Sequence, residues 1–355
     1  MHKDVLLLES RAAHDIAAEI QGQVADQPAN SHASKERVVQ PDAYEAYLEG
    51  RYFWNKRTTK GLQQAIKYFQ EAVNKDPSYA RAYAGLSESY ALMGGYEDSP
   101  SKQFMPRARA AARRALEIDE ELPEAHTALG FIAENYDWDW PTAEREYRRA
   151  IQLNPNDATA HHWYAECLAL QGRFDEAFPE MERARQLDPL SLIIAADNGA
   201  ILLFSRQYDR AIDQFRALRE METNFPRGRL LIPAYVEKGL LRDGLAEAER
   251  WRQHDDTPWS YVMLAYVSGR SADYAKAKIA LQQLEPLDAH RSLDPLSFSI
   301  AYIGLGDKEK ALVFLEKAYE EHSSGLTALK VDPTYDPLRR EPRFQALVQH
   351  IGLAQ

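Results

Sequence analysis

The feature that most constrains the fold is a pattern of small and large residues that recurs along the chain. It reads A-x-x-x-(large apolar)-x-x-A, and its first Ala occurs at Ala143, Ala177 and Ala211, 34 residues apart, and again at Ala277 and Ala311. A repeated unit of this length indicates an array of similar supersecondary elements. The copies are Ala65-Phe69-Ala72, Ala143-Tyr147-Ala150, Ala177-Met181-Ala184, Ala211-Phe215-Leu218, Ala277-Leu281-Leu284 and Ala311-Leu315-Ala318, with a weaker copy at Ala108-Ala112-Ala115.

This spacing predicts a helix, because positions four and then three residues apart lie on one helical face. Small and large side chains alternating on that face let neighbouring helices interlock closely. Each copy follows an apolar segment and a short turn, and several units end at a proline, which cannot continue a helix. We therefore predict units of two helices, A and B. Gly172, Gly239 and Gly306 fall where helix A reverses, a position that favours left-handed backbone.

The A segments resemble the tetratricopeptide repeat family, whose unit is 34 residues and two antiparallel helices. The matching residues are Tyr83, Leu86, Ser87 and Tyr90 in one unit and His126, Leu129 and Gly130 in the next. This resemblance implies an all-α fold, a right-handed α-α superhelix of about 7–8 helix–turn–helix repeats. We expect an N-terminal amphipathic helix over 1–22, a linker over 23–41, the repeat array over 42–322 and a C-terminal capping segment over 323–355.

Four stretches of sequence indicate which subgroup of tetratricopeptide-repeat arrays the chain resembles. "AYEAYLEGRYFWNKRT", "DWDWPTAEREYRRAIQLNPN", "HHWYA" and "LKVDPTYDPLRREPRFQALV" are similar to the C-terminal repeat arrays of bacterial multi-domain regulators. In those proteins the array follows a winged-helix, kinase or cyclase domain, often through a TolB-like domain. The segment from Asp4 to Ile20 is similar to the last helix of that TolB-like domain. The resemblance implies a role in bacterial signalling or transcription regulation.

Composition limits the partners. The net charge is -11 and the pI about 5.5, which disfavours broad contact with nucleic acid phosphates or an anionic membrane. A single Cys fits a reducing compartment, and no apolar run reaches the roughly 18 residues of a membrane span. We therefore expect a cytoplasmic protein. The chain shows no phosphate loop, zinc-protease motif or nucleophile elbow, so we expect no cofactor and no enzymatic activity.

The stretch "HHWYAEC" raises the question of a metal site or a Cys–His nucleophile. Adjacent histidines on a helix point about 100° apart and do not converge on one ion. His162 and Cys167 are five residues apart and also diverge. His161 falls at the repeat position of Tyr83, so the stretch is one more copy of helix A. We predict no metal ligand and no catalytic residue.

"NYDWDWP" interleaves two acids with two Trp residues, as some carbohydrate sites do. The structural interpretation is simpler: Pro141 suits the first turn of helix B, and Asp139 can cap that helix. We expect Trp138 and Trp140 to fill the turn.

The resemblance also implies a binding surface, because helix A lines the concave face with its second, fifth, ninth and twelfth positions. We predict a groove for a protein or peptide segment, with self-association as a further possibility. Two alternatives stay open: a helical-repeat nucleic-acid-binding protein, and an enzyme with an unrecognised groove site. The predicted partner-binding residues are Arg81, Glu88, Phe131, Glu134, His162, Glu166, Ala200, Leu203, Arg229 and Glu237.

Overall fold

The computed structural model describes residues 39–95, 101–254, 257–291 and 293–353. These residues fall, apart from Val39, in one unit that begins at Gln40. The predicted N-terminal helix and most of the predicted linker lie outside the described residues. Within the described ranges the regular structure is helical, without strands.

The helices follow one another with short connections. A π-helical turn over Ala133–Asp137 continues the helix Pro123–Ile132, and 3-10 turns occur at Pro226–Leu230, Ser324–Ala328 and Pro333–Leu338. The α-helices are α1 Pro41–Asn55, α2 Thr59–Lys75, α3 Ala80–Met93, α4 Ser101–Ile118, α5 Pro123–Ile132, α6 Trp140–Leu153, α7 Ala158–Leu170, α8 Phe174–Leu187, α9 Leu192–Phe204, α10 Tyr208–Met221, α11 Leu231–Glu237, α12 Leu241–His254, α13 Pro258–Arg270, α14 Tyr274–Arg291, α15 Pro295–Leu305, α16 Lys308–Glu321 and α17 Pro342–His350.

Helices α1 to α16 form helix–turn–helix pairs, and each pair packs on the next. The prediction of an all-α repeat array is confirmed. The Ala residues of the repeated pattern are fully buried, as are the large residues Phe69, Tyr147 and Phe215. Each of these rings lies against a glycine of helix A; a Cβ on Gly130, for example, would stand 2.8 Å from the Tyr147 ring. Small and large residues thus interlock as the sequence pattern predicts.

Turn and cap geometry also follow the sequence. Gly172, Gly239 and Gly306 have φ values of 82°, 82° and 75°, in the left-handed region where other residues are strained. Asp139 caps α6 by accepting a hydrogen bond from the Thr142 amide at 3.1 Å, and Pro141 lies in the first turn of that helix.

The sixth pair is irregular. Its helix A is reduced to a 3-10 turn followed by the seven-residue α11, with Pro233 in the first turn of α11. Gly244 and Trp251 stand where Ala occurs elsewhere, yet both are buried. The pair is therefore shortened, and both of these residues still lie in its core.

The segment Ser323–Leu353, hereafter the C-terminal segment, contacts both the last pair and an early one. Its helix α17 is tied to α16 by Arg343, whose guanidinium lies 2.7 Å from Glu316. Its far end accepts a hydrogen bond at the Ile351 carbonyl from Trp140 Nε1, at 2.7 Å. Trp138 stacks on Tyr319 with ring centroids 5.2 Å apart. The Trp residues of the "DWDWP" turn thus join parts of the chain about two hundred residues apart.

Candidate functional site

The predicted groove positions divide into an accessible set and a buried set. The second position of helix A stays at least partly accessible in successive pairs. Arg81 exposes 62% of its side chain, Arg227 42% and Glu124 25%, while Thr159 and Ile193 are half-buried. We call these five residues the open rim. They mark one edge of the predicted concave face, near the starts of the A helices.

The other predicted groove positions, farther along each helix A, are mostly buried. Of the predicted partner-binding residues, Glu88, Glu134 and His162 are buried, and so are Ala200 and Leu203. Leu203 belongs to an apolar cluster with core residues of the fifth and sixth pairs, so its side chain packs inside the array. Phe131 and Glu166 keep part of their surface.

The remaining two predicted residues make contacts within the array. Arg229 donates to the Pro226 carbonyl at 2.9 Å, and its guanidinium lies 4.4 Å from the ring centre of Trp259. Glu237 accepts hydrogen bonds from Tyr266 at 3.1 Å and from Arg270 at 3.0 Å.

The end of α1 fills much of the inner face. Arg51 donates to Glu88 at 2.6 Å and lies over the ring of Trp54, with its guanidinium carbon 4.2 Å from the ring centre. Arg57 covers the same ring at 3.6 Å. Trp54 in turn approaches Trp163 of the fourth pair, with centroids 6.4 Å apart. Side chains of the first pair thus cover the middle of the predicted concave face.

An ionic cluster with a buried centre, His162 and Asp197, joins three successive repeats. His162 Nε2 lies 2.8 Å from Asp197 Oδ2 and 3.4 Å from Glu166 Oε2. Arg227 reaches the same acids, at 2.9 Å from Asp197 and 3.8 Å from Glu166. Burial raises the pKa of Glu166 to about 7. Burial would also raise the pKa of Asp197, but Arg227 and His162 outweigh it and lower that pKa.

Three members of this cluster are residue types that can bind a metal ion. The ligand atoms of His162, Glu166 and Asp197 lie within 4.8 Å of one another. The guanidinium of Arg227 already neutralises Asp197, so a divalent cation would have to displace it. The donor set therefore fits an internal ion-pair network better than a metal. The absence of a metal ligand stays a prediction.

Asp197, Arg227 and the end of α1 were not among the residues predicted for the groove. Asp197 follows His162 by 35 residues, and Arg227 follows Ile193 by 34, so both lie close to equivalent repeat positions. The spacing of about 34 residues could therefore have predicted that both residues lie near the groove. No comparable signal relates Trp54 to Trp163.

Glu134 is a buried acid with neutral partners. Its carboxylate accepts a hydrogen bond from Tyr147 at 2.9 Å. Burial raises the pKa of Glu134 to about 8 and that of the Cys167 thiol well above its usual value. A thiol held protonated by burial is a poor nucleophile, which agrees with a structural role for Cys167.

We expect Glu134 to make the fold less stable as pH rises. Folding raises its pKa from 4.5 to about 8, so the folded state holds more protons between these values. Stability from this group is fully present below about pH 4.5 and is lost by about pH 8. Glu134→Gln should therefore be more stable than wild type above about pH 8, by roughly 4 kcal/mol, and nearly equal to it near pH 5.

Urea unfolding across this pH range tests the expectation. Glu182→Gln, at a half-exposed acid of α8, is the matched control and should keep the wild-type pH profile. A Glu134→Gln profile parallel to wild type would show that this carboxyl is not the titrating group.

Comparisons with known proteins agree with the geometry. A family model described as tetratricopeptide repeat matches residues 139–191. The transcriptional regulator HilA of Salmonella typhimurium is 28% identical over 172 residues, 48% of this chain and 30% of HilA. Hsp70-Hsp90 organizing protein 2 of Arabidopsis thaliana is 32% identical over 85 residues, 24% of this chain and 15% of that protein. The chain thus matches less than a third of the length of these relatives.

Among solved structures, yeast Tom70 matches with a TM-score of 0.51 and 15% sequence identity. The match covers 91% of this chain and 69% of that one. At this identity the similarity supports the fold alone. In the described part of the chain, no helix combines the length and apolar character needed to cross a membrane.

Proposed function

Because the chain is a tetratricopeptide-repeat protein, we propose that it is a non-catalytic interaction module that binds a segment of a partner protein along the open rim. The observation that supports this proposal is the contrast in burial along the A helices. Second positions remain accessible in five successive pairs, from Arg81 to Arg227, whereas the inner positions are largely closed. An accessible series of equivalent positions is suited to an elongated ligand.

The chemistry of the rim defines the partner segment. Arg81 is exposed and lies 3.7 Å from the largely buried Glu124 carboxylate, and Arg227 lies at the other end of the rim. Thr159 and Ile193 lie between them and offer an uncharged, partly apolar stretch. The complementary ligand is a segment with an apolar centre flanked by charged residues, an acid facing Arg81 among them.

The setting we propose is cytoplasmic signalling or transcription control in bacteria. Its support is the similarity to HilA, a protein named as a transcriptional regulator, over 172 residues. The similarity covers a minority of HilA, so the array would contribute the interaction part of such a system.

Affinity capture from an extract of the source organism tests the rim. The bait is the full chain, compared with the rim variant Arg81→Glu with Thr159→Arg. Ile193 is left unchanged because it packs against the apolar core cluster. The control exchanges two exposed charges on α8, Glu182→Lys with Arg185→Glu. We expect the rim variant to lose a captured protein by at least roughly tenfold while the control retains it.

Circular dichroism must show both variants folded. Equal capture of every protein by the rim variant and wild type would place the interface elsewhere and refute rim binding.

A further inference from the structure

A second surface lies on the outer side of the first two pairs, away from the open rim. A groove of about 600 Å³ runs between α2 and α4, with α3 as its floor. Tyr83, Leu86 and Tyr90, at spacings of three and four residues, form one face of α3 in this floor. Ala110 and Ala111 of α4 form a wall, and their small side chains leave the groove open.

The groove is basic although the chain as a whole is acidic. Helix α2 carries three Lys and one Glu, and α4 carries one Lys, four Arg and one Glu. Lys67, Arg107, Arg113 and Arg114 are exposed. Against a net charge of -11, these two helices form a local excess of positive charge. Such a patch attracts an acidic partner and speeds its association.

Two arginines are held in place at the groove. The guanidinium of Arg107 lies 4.2 Å from the ring centre of Tyr90 and donates to its hydroxyl at 2.8 Å. The guanidinium of Arg114 lies 5.9 Å from the ring centre of Tyr83 and pairs with Glu117. Among the described residues, Arg107 has no carboxylate partner. Stacking on an aromatic ring orders an arginine before binding, which lowers the entropy lost when it meets a carboxylate.

From this juxtaposition we infer that the α2–α4 groove binds an acidic amphipathic helix of a partner protein. Arg107 and Arg114 are seven residues apart, so they lie about 10 Å apart along α4, two turns of helix. Acidic side chains two turns apart on the partner can meet both. Between them, small apolar side chains of the partner pack on Tyr83 and on the alanines of α4. RNA would satisfy the cations but would leave the apolar floor unused, and the net charge of the chain opposes it.

Fluorescence anisotropy with a designed probe tests the inference on the full chain. The probe is a labelled amphipathic peptide of roughly 18 residues, with Leu and Ala on one face and Glu on the other. We expect saturable binding, weakened at least about tenfold by Arg107→Glu with Arg114→Glu. Ala110→Trp fills the groove without changing the charge, and we expect it to weaken binding similarly. Arg183→Glu with Arg185→Glu on α8 makes the same charge change outside the groove and should leave binding near wild type.

A scrambled peptide of equal composition and a single-stranded RNA of equal charge complete the design. Preference for the amphipathic peptide, lost in both groove variants and kept in the α8 control, supports the inference. Absence of binding to wild type, equal binding of the scrambled peptide, tighter binding of RNA, or equal loss in the α8 control would each overturn it. Circular dichroism confirms that the variants are folded. Because these residues lie outside the open rim, this result and the rim experiment can fail independently.

Discussion

Ending the chain at Glu321 should destabilise the array far beyond the last repeat. The lost C-terminal segment buries Leu326, Leu329 and Leu338 completely, and its removal exposes the apolar surfaces of α15 and α16 that they cover. Exposed apolar surface costs roughly 25 cal/mol per Å², so we expect a loss of at least ~4 kcal/mol. Urea unfolding measures the loss, and binding of a hydrophobic dye reports the exposed surface.

The long-range contacts make a sharper prediction from the same truncation. Trp138 loses its stacking on His322, and Trp140 loses its acceptor at Ile351. Amide hydrogen exchange should therefore speed up over Ala133–Trp140 as well as in α16. His322→Ala, which removes one stacked ring and leaves the segment in place, is the milder control. Faster exchange confined to α15 and α16 would mean that the contact with the third pair contributes nothing to stability.

Among the glycines that the structure describes, Gly269 should be the one whose replacement by Ala destabilises the fold most. A Cβ on Gly269 would stand 2.2 Å from the Gly304 carbonyl oxygen, and one on Gly304 would stand 2.5 Å from Tyr266 Cα. Replacing Gly by Ala within a helix ordinarily stabilises by roughly 1 kcal/mol. Here the obstacle is backbone, which cannot rotate away, so α13 and α15 must separate. We expect a net loss of about 3 kcal/mol, the upper end of overpacking.

Thermal and urea unfolding measure this loss. Gly228→Ala is the matched control, because the nearest atom to its added methyl is a Trp251 ring carbon at 3.5 Å, an ordinary contact. We expect that variant to stay within about 1 kcal/mol of wild type. Equal stability of the two variants would contradict the close packing of α13 on α15.

Much of the fold could be predicted because its information is local and repeated. The small residues of each helix B mark the buried face, and the turn glycines mark the reversals. The structure confirms both, down to the left-handed backbone of Gly172 and Gly306. Asp139 caps α6 as its position before Pro141 predicts. These features depend on neighbours within one or two helical turns, so a short stretch of sequence is enough to specify them.

The candidate site was only partly predictable. The resemblance identified which helix positions face inward, but not which of them stay accessible. Glu88 and His162 are closed over, whereas Arg81 remains open. The difference arises because Arg51 of the first pair covers Glu88, and Asp197 of the fifth pair lies against His162. Accessibility thus depends on side chains that are remote in sequence.

By itself, the amino-acid sequence determined the repeated helix pair, its close packing through small residues and the overall acidity of the chain. The tertiary structure alone decided that Trp138 stacks on His322, that Trp140 meets the C-terminal segment, and that Asp197 and Arg227 complete the ionic cluster around His162. The physical reason is that each pair is rotated slightly against the next, and the sum of these rotations decides which distant residues meet. A small error in the rotation predicted for each pair accumulates along the array, and no local sequence pattern specifies the summed rotation.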